Sequence, residues 1–410
     1  MASNVAQKSS EGKTIEFLDG ETVDVGIDTH KKIFDVTLWS ERRGAVVKRW
    51  TQPADLLITL KSLEAFRERI RRIVYEAGPC GYALARTLRQ AGYTAEVIAP
   101  SRTPRSPGQQ AKSDRLDSRQ LAMWSAKNLL QPVHVPSEEE EADRQVFRLR
   151  DQMVKKQRRA KQQIKSFLLM HGLAQPEGLT HWTKNSIEAL RQLSLRAQLR
   201  LALDCLLDDL AHFQAQVARA SQAIYALARA KRHSRNIHAM KTVPGVGPIT
   251  AMAMRTELLA PERFDNALQV AAMVGLAPWS SQSGQTRKDG PLIKGGNTRL
   301  RTILIEAAWR WVAKDPWAAQ RFAGLARTTG LKKKAIGAMA RRLAIILWRI
   351  NMTGELYQPK PCSDPPKAKP NGASLGKRTE PKTRRLPVKA QPPGPNSHRG
   401  SRPAPRQNTT

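Results

Sequence analysis

From Thr22 the chain places β-branched and apolar residues in three short runs, ETVDVGIDT, IFDVTLWS and AVVKRWTQ, separated by polar turns. This pattern predicts a three-strand meander. An amphipathic stretch follows (ADLLITLKSLEAFRERI), then a strand RIVYEAG, a helix GYALARTLRQAG and a strand TAEVIAP. A helix from about Ser113 through SDRLDSRQLAMWSAKNLL closes the region, so residues 22–130 read as one α/β domain behind a flexible leader, 1–21.

The period then changes. Ser137 and Glu140 make a capping box ahead of a long helix in which Val146, Leu149, Met153, Ala160, Ile164 and Phe167 recur at steps of three and four or their multiples, with Lys156 breaking the seam. Residues 187–230 are Leu- and Ala-rich and free of Pro and Gly. Residues 137–235 therefore form a helical segment, and either an antiparallel hairpin or a dimerising coiled coil satisfies the pattern. A third region, 240–352, opens on KTVPGVGPITAMAMRTELL and holds two further helices. One carries Leu300, Ile303, Leu304, Ala307 and Trp311 on one face, and the other is LKKKAIGAMARRLAIILWRI. Residues 353–410 read as a disordered basic tail: from Pro359 onward the chain has 12 of its 26 prolines and almost no large apolar residue to bury.

Charge narrows the class of partner. The 410 residues contain 69 Lys+Arg against 35 Asp+Glu, a net charge of +34. The stretch from Pro359 contributes 12 basic and 2 acidic residues, so the body alone stays near +24 and the implied partner is polyanionic, nucleic acid first. Cys80, Cys205 and Cys362 show no CxxC spacing, which argues against a disulfide framework or a structural zinc site. No apolar leader or run long enough to span a membrane is present, and a cytoplasmic, nucleoid-associated protein is expected.

Against that background four acids stand out: Asp28 in the first strand, Glu76 ending the fourth, and Asp114 with Asp117 in KSDRLDSRQLA. The order of three strands and then alternating helix and strand is that of an RNase H-like (RuvC-like) fold. Carboxylates ending its strands can converge on hard cations that bridge the attacking and leaving oxygens of a phosphodiester. Asp114 and Asp117, three apart, fall on one helical face, where like charges call for a cation; Asp24 and Asp35 read as ordinary surface acids. Downstream, TVPGVGPITA has the form of the turn in a helix-hairpin-helix element, with Gly245 and Gly247 offering backbone N–H groups to a phosphate. The loop WSSQSGQTRKDGPLIKGGN sets Ser280, Ser281 and Ser283 among Arg287, Lys288, Lys294, Arg299 and Arg301, either as a phosphate-contacting loop or as a nucleophile among cations. Trp309, Trp311 and Trp317 read as core or interface residues.

The stretches GIDTHK, YEAGPCGYALARTL, IAPSRTPRSPGQQAKSDRLDSRQLA, TVPGVGPITA and GLAPWSSQSG through IKGGNTRLRTILIEAAW resemble, in correct order over residues 22 to about 350, the DEDD-type insertion-sequence transposases. The resemblance implies an acidic tetrad at Asp28, Glu76, Asp114 and Asp117 holding Mg²⁺ in a two-metal site, with Mn²⁺ as a substitute. It also implies an essential serine at Ser283, which forms a phosphoserine-linked DNA intermediate. It implies as partners the DNA ends and target, a noncoding bridge RNA that guides target choice, and a second copy of the chain in a dimer or tetramer. Trp279 departs from the family pattern, standing where a basic residue is expected after the GLxP turn. The rival readings are a RuvC-like junction resolvase that uses water, and a catalytically inactive nucleic-acid-binding protein.

Overall fold

A computed structural model describes residues 6–8, 14–78, 80–99, 117–283, 286–293, 295–359 and 361; for 6–8, 14, 280–283 and 286–289 it describes the backbone alone. The chain divides into a unit spanning Met1–Cys362 and a second, Ser363–Thr410, which lies outside the described residues, as do Cys362 and most of the expected tail. A short antiparallel pair, β1 (Ala6–Lys8) and β2 (Thr14–Glu16), precedes the main sheet.

The strands β3 (Val23–Thr29), β4 (Ile33–Ser40) and β5 (Ala45–Pro53) form the antiparallel meander. Helix α1 (Leu56–Glu64) leads to β6 (Ile70–Glu76), α2 (Ala83–Gln90) to β7 (Ala95–Ile98), and α3 (Ser118–Ala126) to an edge strand, β8 (Pro132–Val133). The order is β5-β4-β3-β6-β7-β8, with β3, β6 and β7 parallel. Alternation assigns the two faces. Val23, Val25, Ile27, Phe34, Val36, Leu38, Ile73 and Tyr75 pack against α1 and α2, while Trp39, Val74 and Ile98 pack against Leu121, Ala122 and Trp124 of α3. With both faces covered, β3 is buried almost throughout.

The expected leader, 1–21, is not free at its end. Phe17 is 1% exposed and meets Phe66 edge-on, and the buried Glu21 accepts from Arg43 Nε and Nη2 (both 2.6 Å), Ser40 Oγ (2.5 Å) and Leu18 N (2.8 Å). An aromatic ring and a fully bonded carboxylate repay the ordering of this short stretch. The Arg43 guanidinium holds the Glu21 carboxyl down from its ordinary 4.5 to about 2. A depressed carboxyl stabilises the fold above its unfolded value, and that contribution disappears as pH falls from about 4.5 towards 2. Glu21→Gln is therefore expected to lower stability at neutral pH and to flatten acid unfolding across that window, read by denaturant titration at several pH values.

Helix α4 (Glu138–Met170) starts on the expected capping box, Glu140 N to Ser137 Oγ 3.1 Å and Ser137 N to Glu140 Oε2 3.0 Å. The second helical stretch is broken into α5 (Lys184–Arg191) and α6 (Ala197–Arg229). Phe147 near the start of α4 packs in the same cluster as Ile224, and Ile164 and Phe167 near its end pack with Leu203 and Leu207, so α4 and α6 run antiparallel within one chain. Helices α7 (Lys231–Lys241), α8 (Pro248–Leu258) and α9 (Ala267–Met273) then lead into the hairpin β9 (Pro278–Ser283) and β10 (Thr286–Leu292). Three helices complete this region: α10 (Thr298–Lys314), α11 (Pro316–Thr329) and α12 (Lys332–Thr353). Their core surrounds the fully buried Trp311, whereas Trp309 is 43% exposed against Phe322. The expected tail also begins late, because Tyr357 N donates to Thr242 Oγ1 (2.8 Å) and Tyr357 Oη to Asp315 Oδ2 (2.9 Å). Among the described residues, no helix is long and apolar enough to cross a membrane.

Candidate active site

Strand register gathers the acids. Asp28 of β3 is the direct cross-strand partner of Asp35 of β4, and Ile27 pairs with Tyr75 of β6, so one step further along the parallel pair Asp28 lies beside Glu76. Ile27 and Tyr75 face α1 and α2, so by alternation Asp28, Asp35 and Glu76 occupy one row on the α3 face, at the carboxyl ends of the two central parallel strands.

Asp117 joins this row from above, but not from within a helix as expected. Its backbone is extended (φ −68°, ψ 161°) and its Oδ1 accepts from Gln120 N at 2.7 Å, making it the N-cap of α3. A short carboxylate is favoured there because it satisfies an orphan N–H and faces the positive end of the helix. Asp114 lies outside the described residues, so the helical-face pairing of the two acids does not hold on the Asp117 side.

Gly26 explains how α3 reaches the row. A Cβ on it would stand 2.0 Å from Ser118 O and 2.5 Å from Ala122 N, so the helix backbone rests directly on β3 two residues before Asp28. Ser118 Oγ meets Thr37 Oγ1 at 2.7 Å and donates to Asp35 Oδ2 at 3.1 Å, fixing the start of α3 to β4. Gly26→Ala is expected to push α3 outward, costing about 3 kcal/mol of stability or more, and to displace Asp117 with it. Paired thermal melts and cleavage assays check this; a variant that melts and cleaves like the parent sinks it.

The acids expected on the surface have separate fates. Asp24 is 3% exposed, accepting from Arg71 Nε (3.0 Å) and Ser125 Oγ (2.7 Å), which ties α3 to β6 at the far end from the row. Asp35 sits in the row itself, bonded to Arg49. Strand periodicity could have found it, since a turn at His30 to Ile33 makes Asp28 and Asp35 partners. His30 Nε2 also lies 3.1 Å from Asp28 Oδ2. The donors are all carboxylates, as a hard divalent ion requires. Among the described residues alone, no group of three or more His, Cys, Asp or Glu side chains stands close enough to hold an ion.

The serine segment, expected as a flexible loop, is an antiparallel hairpin in which Ser283 pairs with Thr286 and Ser281 with Lys288. Ser283 is the last residue of β9, before Gly284. Arg287 and Lys288 lie on β10, their side chains outside the description, as is Lys294 altogether. Arg299 and Arg301 have intramolecular work. Arg299 Nε donates to Asp151 Oδ2 of α4 (3.0 Å), and Arg301 Nη2 donates to Ile293 O (3.1 Å) and Gly295 O (2.6 Å), pinning the hairpin's exit. Trp279 is 54% exposed, its ring covering Gly290 so closely that a Cβ there would meet it at 2.8 Å.

The base of this hairpin is held by a buried carboxylate. Glu257 of α8, 2% exposed, accepts from Arg148 of α4 (2.8 and 3.0 Å) and from Asn297 Nδ2 (2.8 Å), while Asn297 Oδ1 caps α10. At its N-terminal end α4 meets the α/β domain through Arg86 Nη1 and Glu141 Oε2 (2.8 Å). One helix thus contacts both the acid-bearing and the serine-bearing regions. In the turn between α7 and α8, Gly245 has φ +85° and packs on the α10 backbone, where a Cβ would lie 2.7 Å from Trp311 N; Gly247, the N-cap of α8, has open space. Cys80 and Cys205 are free thiols.

Carboxylates at the carboxyl ends of central strands in a mixed sheet, beneath a helix N-terminus, are consistent with an RNase H-like DEDD domain, and the class is a DNA-cleaving and recombining enzyme. Family comparison is specific: a DEDD transposase profile of the IS110 type matches residues 25–171, and the transposase IS116/IS110/IS902 family profile matches residues 237–323. Transposase y4qE of Sinorhizobium fredii is 31% identical over 294 residues, covering 70% of this chain and 71% of that protein. The transposase for insertion sequence element IS1111A of Coxiella burnetii is 23% identical, over 82% of this chain and 91% of that one. The transposase for element IS1533 of Leptospira borgpetersenii is 24% identical, over 70% and 84%. The chain belongs to the IS116/IS110/IS902 family of transposases.

Proposed function

We propose that this transposase excises and inserts its element by divalent-ion-dependent strand exchange, with Ser283 as the nucleophile and a noncoding guide RNA choosing the target. The observation that carries the reading is the row Asp28, Asp35 and Glu76 under the Asp117 cap. Asp28, Glu76, Asp117 and Asp114 are the residues that would hold divalent ions, Mg²⁺ or Mn²⁺. Bound there, the ions supply charge neutralisation at the phosphodiester.

The chain's own part is orientation and attack. Ser283 Oγ loses its proton and bonds to phosphorus as a phosphorus–oxygen bond of the DNA breaks; the departing oxygen takes up a proton. A hydroxyl of the second strand then attacks the phosphoserine and returns the serine. The two regions meet across subunits of a dimer or tetramer, with the α4 and α6 pair as a coiled-coil contact. The α7–turn–α8 unit acts as a helix-hairpin-helix, Gly247 presenting its amide to a phosphate, and the basic tail adds salt-sensitive binding. The protein works at the nucleoid in the cytoplasm.

The test is strand exchange by purified protein on element-end DNA, with the flanking noncoding RNA, resolved on denaturing gels with and without Mg²⁺. Exchange that needs the ion and passes through a protein-linked strand supports the reading. Free ends without an adduct replace it with hydrolysis by water.

A further inference from the structure

We propose that Arg49 contacts the phosphate of the strand being cut, held in its working orientation by Asp35. The proposal rests on the acidic row being the reaction site. Arg49 pairs with Thr37 in the β4/β5 register, and Thr37 and Asp35 lie on the same face as Asp28, so the guanidinium rises on the α3 side of the sheet. Its Nε bonds Asp35 Oδ2 at 3.1 Å and its Nη2 bonds the same oxygen.

Asp35 is itself fixed by Ser118 Oγ at 3.1 Å, at the first turn of α3. The guanidinium is thereby anchored along one edge. Its side chain remains 49% exposed, which leaves the guanidinium within reach of a ligand from solvent. The hydrogen bond to Asp35 first, then the charges of Asp35, Asp117 and Asp28, raise the Arg49 pKa, which places this cation in the field of the same acids that form the row. A carboxylate cluster repels the phosphate it must act on, and a planar fork anchored on one side is the donor geometry that binds a phosphate bidentately.

The plain alternative is a cross-strand ion pair with a purely structural role, which at this exposure contributes little to stability. Full-length Arg49→Ala, Arg49→Lys and Asp35→Asn variants separate the two, assayed on duplex carrying the element ends. Binding is measured against salt concentration without divalent ions, and cleavage with Mg²⁺. Loss of one phosphate contact should reduce the slope of log affinity on log salt by about 0.9 in Arg49→Ala and leave it unchanged in Arg49→Lys and Asp35→Asn. Cleavage should fall about tenfold or more in both Arg49→Lys and Asp35→Asn, because charge without a held fork misplaces the phosphate. Thermal melting serves as the folding control, and the lysine variant carries the test if the alanine variant unfolds.

An unchanged slope in Arg49→Ala, with cleavage within about twofold of the parent in all three, overturns the proposal. Asp28→Ala run beside them keeps the two readings apart. If Asp28→Ala still cleaves, the acidic row is not the site. If it is dead while the Arg49 variants behave like the parent, only the role of Arg49 fails.

Discussion

Ser283→Ala is expected to abolish the covalent protein–DNA adduct and to lower strand exchange by about 10⁶-fold, the scale on which removal of a covalent nucleophile acts elsewhere. The substitution deletes one hydroxyl at the end of β9 and leaves the Ser283–Thr286 backbone pairing untouched, so folding and DNA binding should persist. Denatured reaction mixtures run on protein gels with labelled DNA read the adduct directly. Ser280→Ala and Ser281→Ala serve as neighbours in the same hairpin and should retain it. Robust recombination by the Ser283 variant refutes the covalent scheme. Loss of the adduct with continued ion-dependent cleavage points instead to water as the nucleophile and to Ser283 as a phosphate contact.

Asp117→Asn carries the second large effect and is the cleaner probe of the acidic row. Asparagine caps a helix about as well as aspartate, so Gln120 N keeps an acceptor and α3 keeps its start. Stability should change by only a few tenths of a kcal/mol, while cleavage should drop about 10³-fold if the lost charge was holding a divalent ion. Asp28→Ala should lose as much activity, with the added signature of weaker Mn²⁺ binding by calorimetry in the absence of DNA. Wild-type cleavage by Asp117→Asn, with α3 intact, would remove Asp117 from the site. The Glu257, Arg148 and Asn297 network offers a contrast, because its disruption should loosen the hairpin base without touching ion binding.

Much of the α/β domain was legible because it depends on local periodicity. Alternation placed β3, β4 and β5, the apolar run before Glu76 placed β6, and Ser137 with Glu140 announced α4. The misreadings came where two local signals competed. Asp117 could continue a helix or cap one, and the cap won because an extended aspartate satisfies a free N–H. The serine stretch looked like a loop because its residues are polar, yet strand pairing needs only backbone groups. Asp24 and Asp35 looked like solvent-facing acids because charge usually means surface, and nothing in a linear chain reveals the arginines that meet them.

The order of residues alone determined most of the element types, the basic character of the body and the acids at the strand ends, since each follows from spacing or composition within a few turns of chain, while the motifs from GIDTHK to IKGGNTRLRTILIEAAW carried the resemblance to the transposases. Tertiary structure decided which acids share a row, that α3 lies on Gly26, that Arg49 joins Asp35, and that Arg299, Arg301 and Gly245 serve internal packing rather than standing open. Those outcomes depend on register between strands and on contacts across 6 to 148 positions of sequence, where the partner is chosen by the whole core rather than by neighbours in the chain.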